Sequence, residues 1–204
     1  GFTKHASSGT APMLRGTFRG IQEKIPYLKE LGITTVEILP AAEFDEVMVP
    51  PAMAAGVYEP QKPDGRLNYW GYAKAQLMAP KESYCAGKEA PVRELKELIK
   101  ALHQEKMELV AELFFTGEEN PGYALEAVRR WALDFRADGI RLSGYPPLQL
   151  IAADPYLSGV KLFADSWEGM PHGSCRHLAE YNDGFMMDMR RFLKGDEGQL
   201  DGAA

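Results

Sequence analysis

Apolar side chains recur every three or four residues in several segments of the chain, a spacing that predicts amphipathic helices. The first helix is predicted from Ile21 to Leu31, where Gly32 is placed to end it and Pro26 marks a kink or a fresh first turn. Further helices are predicted over residues 91–106, 122–137 and 146–157, with a short strand and a last helix within 179–196.

Short hydrophobic runs of strand length lie between these helices. They read "TTVEILP", "MELVAELFF", "GIRLS" and "KLFADSW", and they predict strands near residues 34, 108, 139 and 161, with a fifth near 178. The nearly continuous hydrophobicity of "LVAELFF" is typical of a strand covered on both faces. Strands that alternate with helices predict parallel strands, crossover helices and therefore an α/β fold. Residues 41–88, rich in Pro, Gly and Ala, are predicted to be loop.

The number of strands leaves two architectures open. A closed (β/α)₈ barrel needs eight strands and typically about 250 residues, whereas this chain of 204 residues offers five strands at most. The pattern alone is compatible with an open doubly wound sheet or with part of a barrel. We expect residues 1–204 to form a single domain in either case.

Composition excludes some classes of partner. The net charge of −6 provides no basic face for nucleic acid or anionic lipid, and no apolar run approaches 18 residues, so we expect neither nucleic acid nor membrane as a partner. Cys85 and Cys175 lack metal-binding spacing and predict reduced thiols in a cytoplasmic setting. The four histidines are scattered, so we expect no metal and no cofactor; they are His5, His103, His172 and His177.

Seven short sequence motifs lie along nearly the whole chain. In order, they are "GFTKHASSG", "IPYLKELGITTVEILP", "EFDE", "NYWGY", "DGIR", "KLFADSWEG" and "AEYNDGFMMDMRRFLKGD". Together they resemble the isoamylase and glycogen-debranching (pullulanase-like) branch of the α-amylase superfamily of glycoside hydrolases. The resemblance implies a TIM barrel that hydrolyses α-1,6 branch points of glycogen or starch. It also implies that this chain is a partial (β/α)₈ barrel, with about five parallel strands corresponding to barrel strands 2 to 6.

The catalytic motifs depart from the family pattern. A retaining glycosidase needs a carboxylate nucleophile and a protonated carboxylic acid about 5 to 5.5 Å apart. In this family the nucleophile is the aspartate of G-F-R-F-D, whereas here Arg141 is kept as the orienting residue and Ser143 stands at the nucleophile position. The acid is the glutamate of K-L-I-A-E-P-W-D, and here Asp165 occupies its position, followed by Trp167. The family's third aspartate, on the seventh strand, is expected beyond Ala204.

The motifs whose residues contact sugar in this family are partly retained in the chain. "NYWGY" is intact, and its Tyr72 matches the residue that stacks under the sugar at the cleavage point, with Trp70 beside it. In the strand-three signature D-V-V-F-N-H, the aspartate becomes Glu112 and both the Asn and the His are lost. The resemblance therefore implies α-glucan contacts at Tyr72, Trp70, Glu112 and Trp167. The alternative is that the loop aromatic residues are core plugs and that Asp165 is a solvated carboxylate.

These departures lead to three hypotheses. The chain is a debranching-type domain that has lost most or all catalysis, a non-catalytic α-glucan-binding or regulatory module, or a glycoside hydrolase completed by another chain. Five strands of eight leave two unpaired edges, which predicts association with another chain or with a second copy. Because an unpaired buried guanidinium is costly, Arg141 must find an anion, and Glu112 or Asp165 is expected to provide it.

Overall fold

The computed structural model describes residues 1–47, 67–87, 90–167 and 176–196. Its helices and strands, in chain order, are α1 (Phe18–Glu23), α2 (Ile25–Glu30), β1 (Thr35–Ile38), β2 (Ala42–Phe44), β3 (Ala75–Pro80), α3 (Pro91–Gln104), β4 (Glu108–Phe115), α4 (Pro121–Arg129), β5 (Gly139–Gly144), α5 (Leu148–Ala152), β6 (Lys161–Ala164), β7 (Leu178–Glu180) and α6 (Asp183–Lys194). A π-helical turn over Arg130–Asp134 continues α4. No helix among the described residues is long and apolar enough to cross a membrane.

The main sheet has five strands, all parallel, in the order β1-β4-β5-β6-β7. All five predicted strands are confirmed. Each strand lies beside the one that precedes it in this sheet, and the order never reverses. A doubly wound sheet reverses its strand order at a switch point, so the observed order is that of a barrel segment. Of the two architectures that the pattern left open, the structure has the partial barrel.

The core lies between one face of this sheet and the helices. The buried stripe of α3, made by Leu95, Leu98 and Leu102, belongs to the same apolar cluster as Leu109 and Leu113 of β4. Alternation along the strands sends the intervening side chains to the opposite face. The helices therefore cover the apolar face, and the candidate site forms on the other one.

The predicted helices are confirmed with altered ends. The first helix is divided at Lys24 into α1 and α2, and Pro26 lies in the first turn of α2, where its missing N–H costs nothing. The third helix widens into the π-helical turn, and Trp131 and Phe135 meet edge to face there at 5.1 Å between ring centroids. The fourth is short, since α5 ends at Ala152 and a 3₁₀ turn follows over Pro155–Leu157.

The prediction that residues 41–88 are loop is wrong in part. Strands β2 and β3 form an antiparallel pair in this segment, while residues 48–66 and 88–89 lie outside the described ones. The pair is held to the core because Leu77 is buried and its carbonyl accepts a 2.7 Å hydrogen bond from Trp131 Nε1. Small residues such as Ala42 and Ala75 carry the alternation in these strands, and so the hydrophobic pattern was too weak to indicate them.

Candidate functional site

The uncovered face of the main sheet carries a polar cluster. Register places Glu112 of β4, Arg141 of β5 and Phe163 of β6 side by side. Below them, Glu108 accepts hydrogen bonds from Thr35 Oγ1 at 3.0 Å and from Lys161 Nζ. The carboxyl ends of the parallel strands form the active-site face of a TIM barrel. The candidate site therefore consists of Glu112, Arg141 and the residues that follow the strands.

Arg141 pairs with Asp165. Its Nη2 donates a hydrogen bond of 2.7 Å to Asp165 Oδ1, and Asp165 lies directly after β6 with 74% of its side chain exposed. The second terminal nitrogen, Nη1, is buried and has no hydrogen-bond partner among the described residues. Of the two anions that the sequence suggested, Asp165 is the one that Arg141 contacts. The expected pairing with Glu112 is wrong, because no ion pair within 4.0 Å joins these two described residues.

Glu112 is the most buried acid of the cluster, with 3% of the residue exposed. The Tyr72 hydroxyl donates to its Oε2 at 3.4 Å. Burial raises the pKa of Glu112 above its ordinary value; the charge of Arg141 opposes this, and the charge of Glu37 adds to it. The site thus favours the protonated form of a carboxyl group more than water does.

Ser143 is buried at the end of β5, and its Oγ donates to the Leu113 carbonyl at 3.4 Å. The chain turns away at once, since Gly144 has φ 78°, and a Cβ there would lie 2.1 Å from the Phe115 carbonyl oxygen. No G-x-S-x-G sequence surrounds Ser143. The hydrogen bond directs the hydroxyl proton of Ser143 at a backbone carbonyl, which is not a catalytic base.

The two loop aromatic residues differ in position. Tyr72 packs against Phe114 of β4 at 5.5 Å and reaches Glu112, so the structure brings it to the polar cluster. Burial and the charge of Glu112 raise its pKa. Trp70 contacts Tyr69 edge to face at 5.1 Å and is exposed. Neither Tyr72 nor Trp70 is buried, so neither is a core plug.

Trp167 lies apart from the cluster as a buried anchor. Only 4% of the residue is exposed, and its Nε1 donates to the Ala179 carbonyl at 2.9 Å. Its backbone N–H donates to Glu180 at 2.5 Å. The ring therefore ties the segment after β6 to β7, and this burial favours a packing role over the expected contact with sugar.

Sequence reasoning missed Tyr181 and Glu37. The Tyr181 hydroxyl donates to Glu37 Oε2 at 2.7 Å, and its ring lies 3.9 Å from the Arg141 guanidinium carbon. Burial, together with the hydrogen bond and charge of Glu37, raises the pKa of Tyr181. A signal was present, because Tyr181 follows β7 at the position where Asp165 follows β6. Its partner Glu37 is 144 residues away, which no local pattern indicates.

The described residues hold no group of three His, Cys, Asp or Glu side chains arranged for a metal. His103 instead contacts Asp138, with 2.8 Å between Nε2 and Oδ2. The Cys85 thiol is partly buried beside Gly87. His172 and Cys175 lie outside the described residues.

Comparison with known proteins shows that the chain is similar to isoamylases and glycogen debranching enzymes. The chain is 27% identical over 270 positions to the chloroplastic isoamylase 3 of Oryza sativa subsp. japonica, covering 97% of this chain and 33% of that protein. It is 27% identical over 252 positions to the glycogen debranching enzyme of Serratia proteamaculans, covering 90% of this chain and 36% of the relative. No protein-family model matches the chain.

These similarities support an isoamylase- and pullulanase-like member of the α-amylase superfamily. The chain spans about a third of the length of the curated relatives it matches. The fold agrees: the pullulanase of Anoxybacillus sp. LM18-11, complexed with maltotriose, has a TM-score of 0.69 at 18% identity, over 99% of this chain and 39% of its own. The pullulanase of Paenibacillus barengoltzii, complexed with maltohexaose and α-cyclodextrin, has a TM-score of 0.68 over 98% of this chain and 42% of its own.

These similarities allow the polar cluster to be compared with the corresponding positions of isoamylases and debranching enzymes. The predicted partial (β/α)₈ barrel is confirmed as the fold. The orphaned Arg141 Nη1 belongs to the strand that ends in the family's nucleophile position, which Ser143 occupies here. The roles of Asp165, Ser143, Arg141, Tyr72, Trp70, Glu112 and Trp167 in any reaction or binding event stay predictions.

Proposed function

We propose that this chain is a debranching-type α-glucan domain that has lost catalysis or is severely impaired in it. The observation that carries the proposal is the pair formed by Arg141 and Ser143. An orienting guanidinium is kept, one of its nitrogens is buried without an acceptor among the described residues, and the serine two residues later donates to a backbone carbonyl. A retaining reaction needs a carboxylate that attacks the sugar and then leaves, and a serine oxygen leaves an anomeric carbon far less readily.

The acid position supports the same proposal. Asp165 accepts a hydrogen bond from Arg141, so one of its carboxylate oxygens is already engaged with the guanidinium. Aspartate is also one methylene shorter than the family's glutamate, and a displacement near 1 Å costs about 10²-fold in rate. Enzymatic acceleration requires roughly 8 kcal/mol or more of barrier reduction, and neither position offers the group that would supply it.

A non-catalytic role in binding α-glucan is the second candidate function. Tyr72 favours it, because this partly exposed ring reaches into the polar cluster beside the buried Glu112. An aromatic face next to hydrogen-bonding carboxylates suits a sugar, whose ring offers an apolar face and a rim of hydroxyl groups. The pullulanases of similar fold were solved with maltotriose and maltohexaose.

Completion by another chain is the third candidate. Strands β1 and β7 are the edges of the sheet as described, and α6 exposes Phe185 and Leu193. Unpaired strands and exposed apolar side chains both favour association. Light scattering over a range of concentrations tests this: we expect a mass above 22.7 kDa that grows with concentration. A constant monomer mass would contradict association between copies.

Activity and binding are measured on the same protein. Pullulan, glycogen and maltooligosaccharides are incubated with the protein, reducing ends are assayed, and calorimetry is run with the same sugars. We expect no release of reducing ends. Release that disappears in Asp165→Asn would overturn the proposal that the domain has lost catalysis.

For binding, Tyr72→Ala is compared with Tyr27→Ala, an exposed tyrosine on α2 away from the cluster. Binding heat that is lost only in Tyr72→Ala supports a glucan-binding module, whereas equal binding by both variants places the sugar elsewhere.

A further inference from the structure

A second feature lies on the helix-covered side of the sheet, where α3 meets the π-helical turn. A groove of about 780 Å³ opens there, and we call it the basic groove. Its cationic lining consists of Lys96, Lys100, Arg130 and Arg136, with His103 at one end. Asp134 is the only acidic side chain among the lining residues.

The four cations of the basic groove form no ion pair with any residue that the structure describes. Within the described ranges, no carboxylate oxygen lies within 4.0 Å of the charged nitrogens of Lys96, Lys100, Arg130 or Arg136, whereas Arg129, one residue before the turn, pairs with Asp154. The chain as a whole carries six more acidic than basic groups. Like charges around one groove repel each other, and a bound anion would reduce that repulsion.

Two of these cations contact an aromatic ring, and a third has an unusual backbone conformation. The ring of Phe135 has Lys96 Nζ at 5.9 Å and the Arg130 guanidinium at 5.3 Å, both at cation–π distance. Arg136 has a positive φ of 69°, and Lys106, at 59°, is the only other non-glycine residue described with a positive φ. Glycine adopts this conformation without strain. Non-glycine residues in strained conformations of this kind cluster at functional sites.

We propose that the basic groove binds a small organic phosphate with at least two negative charges. Its volume falls within the range of about 300–1,000 Å³ that is typical of small-molecule sites. Arginine and lysine are the side chains that bind phosphate, and the apolar wall that includes Ile99 and Leu133 can receive the organic part of the ligand. The groove lies on the opposite side of the sheet from Arg141, so this proposal does not depend on the proposed function.

The overall charge of the chain favours a small ligand over a nucleic acid. Four cations in one groove match two or three phosphate charges, while a nucleic acid requires a continuous basic stripe that tracks its backbone. The net charge of −6 works against such a long polyanion and leaves the groove as a local exception.

Calorimetry at constant ionic strength tests the proposal, with ATP and inorganic pyrophosphate as probes and a chelator to exclude metal. The decisive variant is Arg136→Gly, which removes one cation and relieves the strained backbone. We expect its affinity for ATP to fall at least fivefold, roughly the loss of one charge-assisted hydrogen bond, with unchanged or raised thermal stability.

Lys106→Gly is the matched control, because it also removes a cation at positive φ but lies outside the groove. We expect it to change the affinity by less than about twofold, as for the loss of a surface charge. A second pair compares Lys96→Gln/Lys100→Gln with Lys74→Gln/Lys194→Gln, whose lysines are exposed elsewhere.

Saturable ATP binding that weakens only in the groove variants supports the proposal, and tighter binding of ATP than of pyrophosphate supports a role for the organic part. No saturable binding by the unmodified protein, equal weakening in groove and control variants, or equal affinity for the two probes would each overturn it.

Discussion

Arg141 donates a hydrogen bond of 2.7 Å to Asp165, even though Glu112 is its register partner on β4. The preference follows from position: Asp165 is exposed beyond the end of β6, whereas Glu112 is buried, with a pKa raised chiefly by that burial. The cation therefore takes its partner from the solvent side of the cluster, and on the buried side Nη1 has no partner in the part of the chain that the structure describes. This asymmetry leads to two predictions.

Asp165→Asn is expected to lower the free energy of unfolding by less than about 1 kcal/mol, because ion pairs with an exposed partner contribute little. Urea denaturation at pH 7 measures the change. The control is Asp188→Asn, an exposed pair with Arg191 on α6, for which the expected loss is equally small. A loss of several kcal/mol for Asp165→Asn would instead mean that Asp165 is the only group that makes the buried guanidinium tolerable.

Ser143→Asp is expected to give Nη1 the acceptor that it lacks. The benefit should be greater in the Asp165→Asn background, where Arg141 has lost its other partner, with a coupling of about 1 kcal/mol in a double-mutant cycle. Repulsion from Glu112 acts against the new carboxylate in both backgrounds and cancels in the cycle. Ser143→Asn tests whether an uncharged acceptor suffices. Additive effects of Ser143→Asp and Asp165→Asn would refute a shared contact with Arg141.

The sequence was sufficient for the elements that carry strong periodicity. The Leu95, Leu98 and Leu102 stripe indicated α3, and the continuous apolar run from Leu109 indicated a strand covered on both faces. Strands β2 and β3 were not predicted because their sequences, "AEF" and "AQLMAP", contain none of the β-branched residues that are typical of a strand. Local patterns report the partner of a side chain only when that partner is near in sequence.

The site shows the same limit. The family motifs placed Arg141 and Ser143 on one strand and Asp165 directly after the next, and the structure has all three there. The motifs did not indicate whether Arg141 pairs with Glu112 or with Asp165. Burial decides between the two, and burial depends on the whole fold. Nor did the motifs indicate Tyr181, whose contacts with Glu37 and Arg141 require the sheet to curl until its edges approach.

Tyr181→Phe tests that approach, because it removes the hydroxyl that donates to Glu37 and keeps the ring over Arg141. We expect a loss of about 1 kcal/mol, within the usual range for one hydrogen bond, and faster amide exchange in β1 and β7 than in β5. Tyr156→Phe is the matched control, since its ring also lies over an arginine, Arg129, at 5.1 Å. Equal effects of the two variants would mean that the bond between the edges contributes nothing.

Glu94→Gln should be most harmful at neutral pH. Only 1% of the residue is exposed, and its carboxylate accepts from the N–H groups of Ala86 and Gly87 at 2.8 and 3.0 Å. Burial by itself would raise the pKa of Glu94, but these bonds and the charge of Arg19 outweigh it, and the pKa lies below its ordinary 4.5.

Its stabilising effect is therefore present above pH 4.5 and is lost as the pH falls through the lower folded-state value. We expect Glu94→Gln to cost about 1–3 kcal/mol at pH 7 and less near pH 3, measured by urea denaturation. Glu97→Gln, half exposed on the same helix, should cost little at either pH. A loss of unfolding free energy that is the same at both pH values would contradict a stabilising role for the ionised Glu94 carboxylate.

Glu112→Gln should have the opposite pH dependence. Burial raises the pKa of Glu112 above 4.5, so the folded protein holds a proton that the unfolded chain has already released. The free energy of unfolding therefore falls as the pH rises from 4.5 through the folded-state value. Glutamine keeps an acceptor for Tyr72 and carries no charge, so the variant should gain stability relative to the unmodified protein at pH 7.5 and not at pH 4. Urea denaturation at both values measures this, and a loss at pH 7.5 as large as that of Glu94→Gln would show that the ionised Glu112 stabilises the fold.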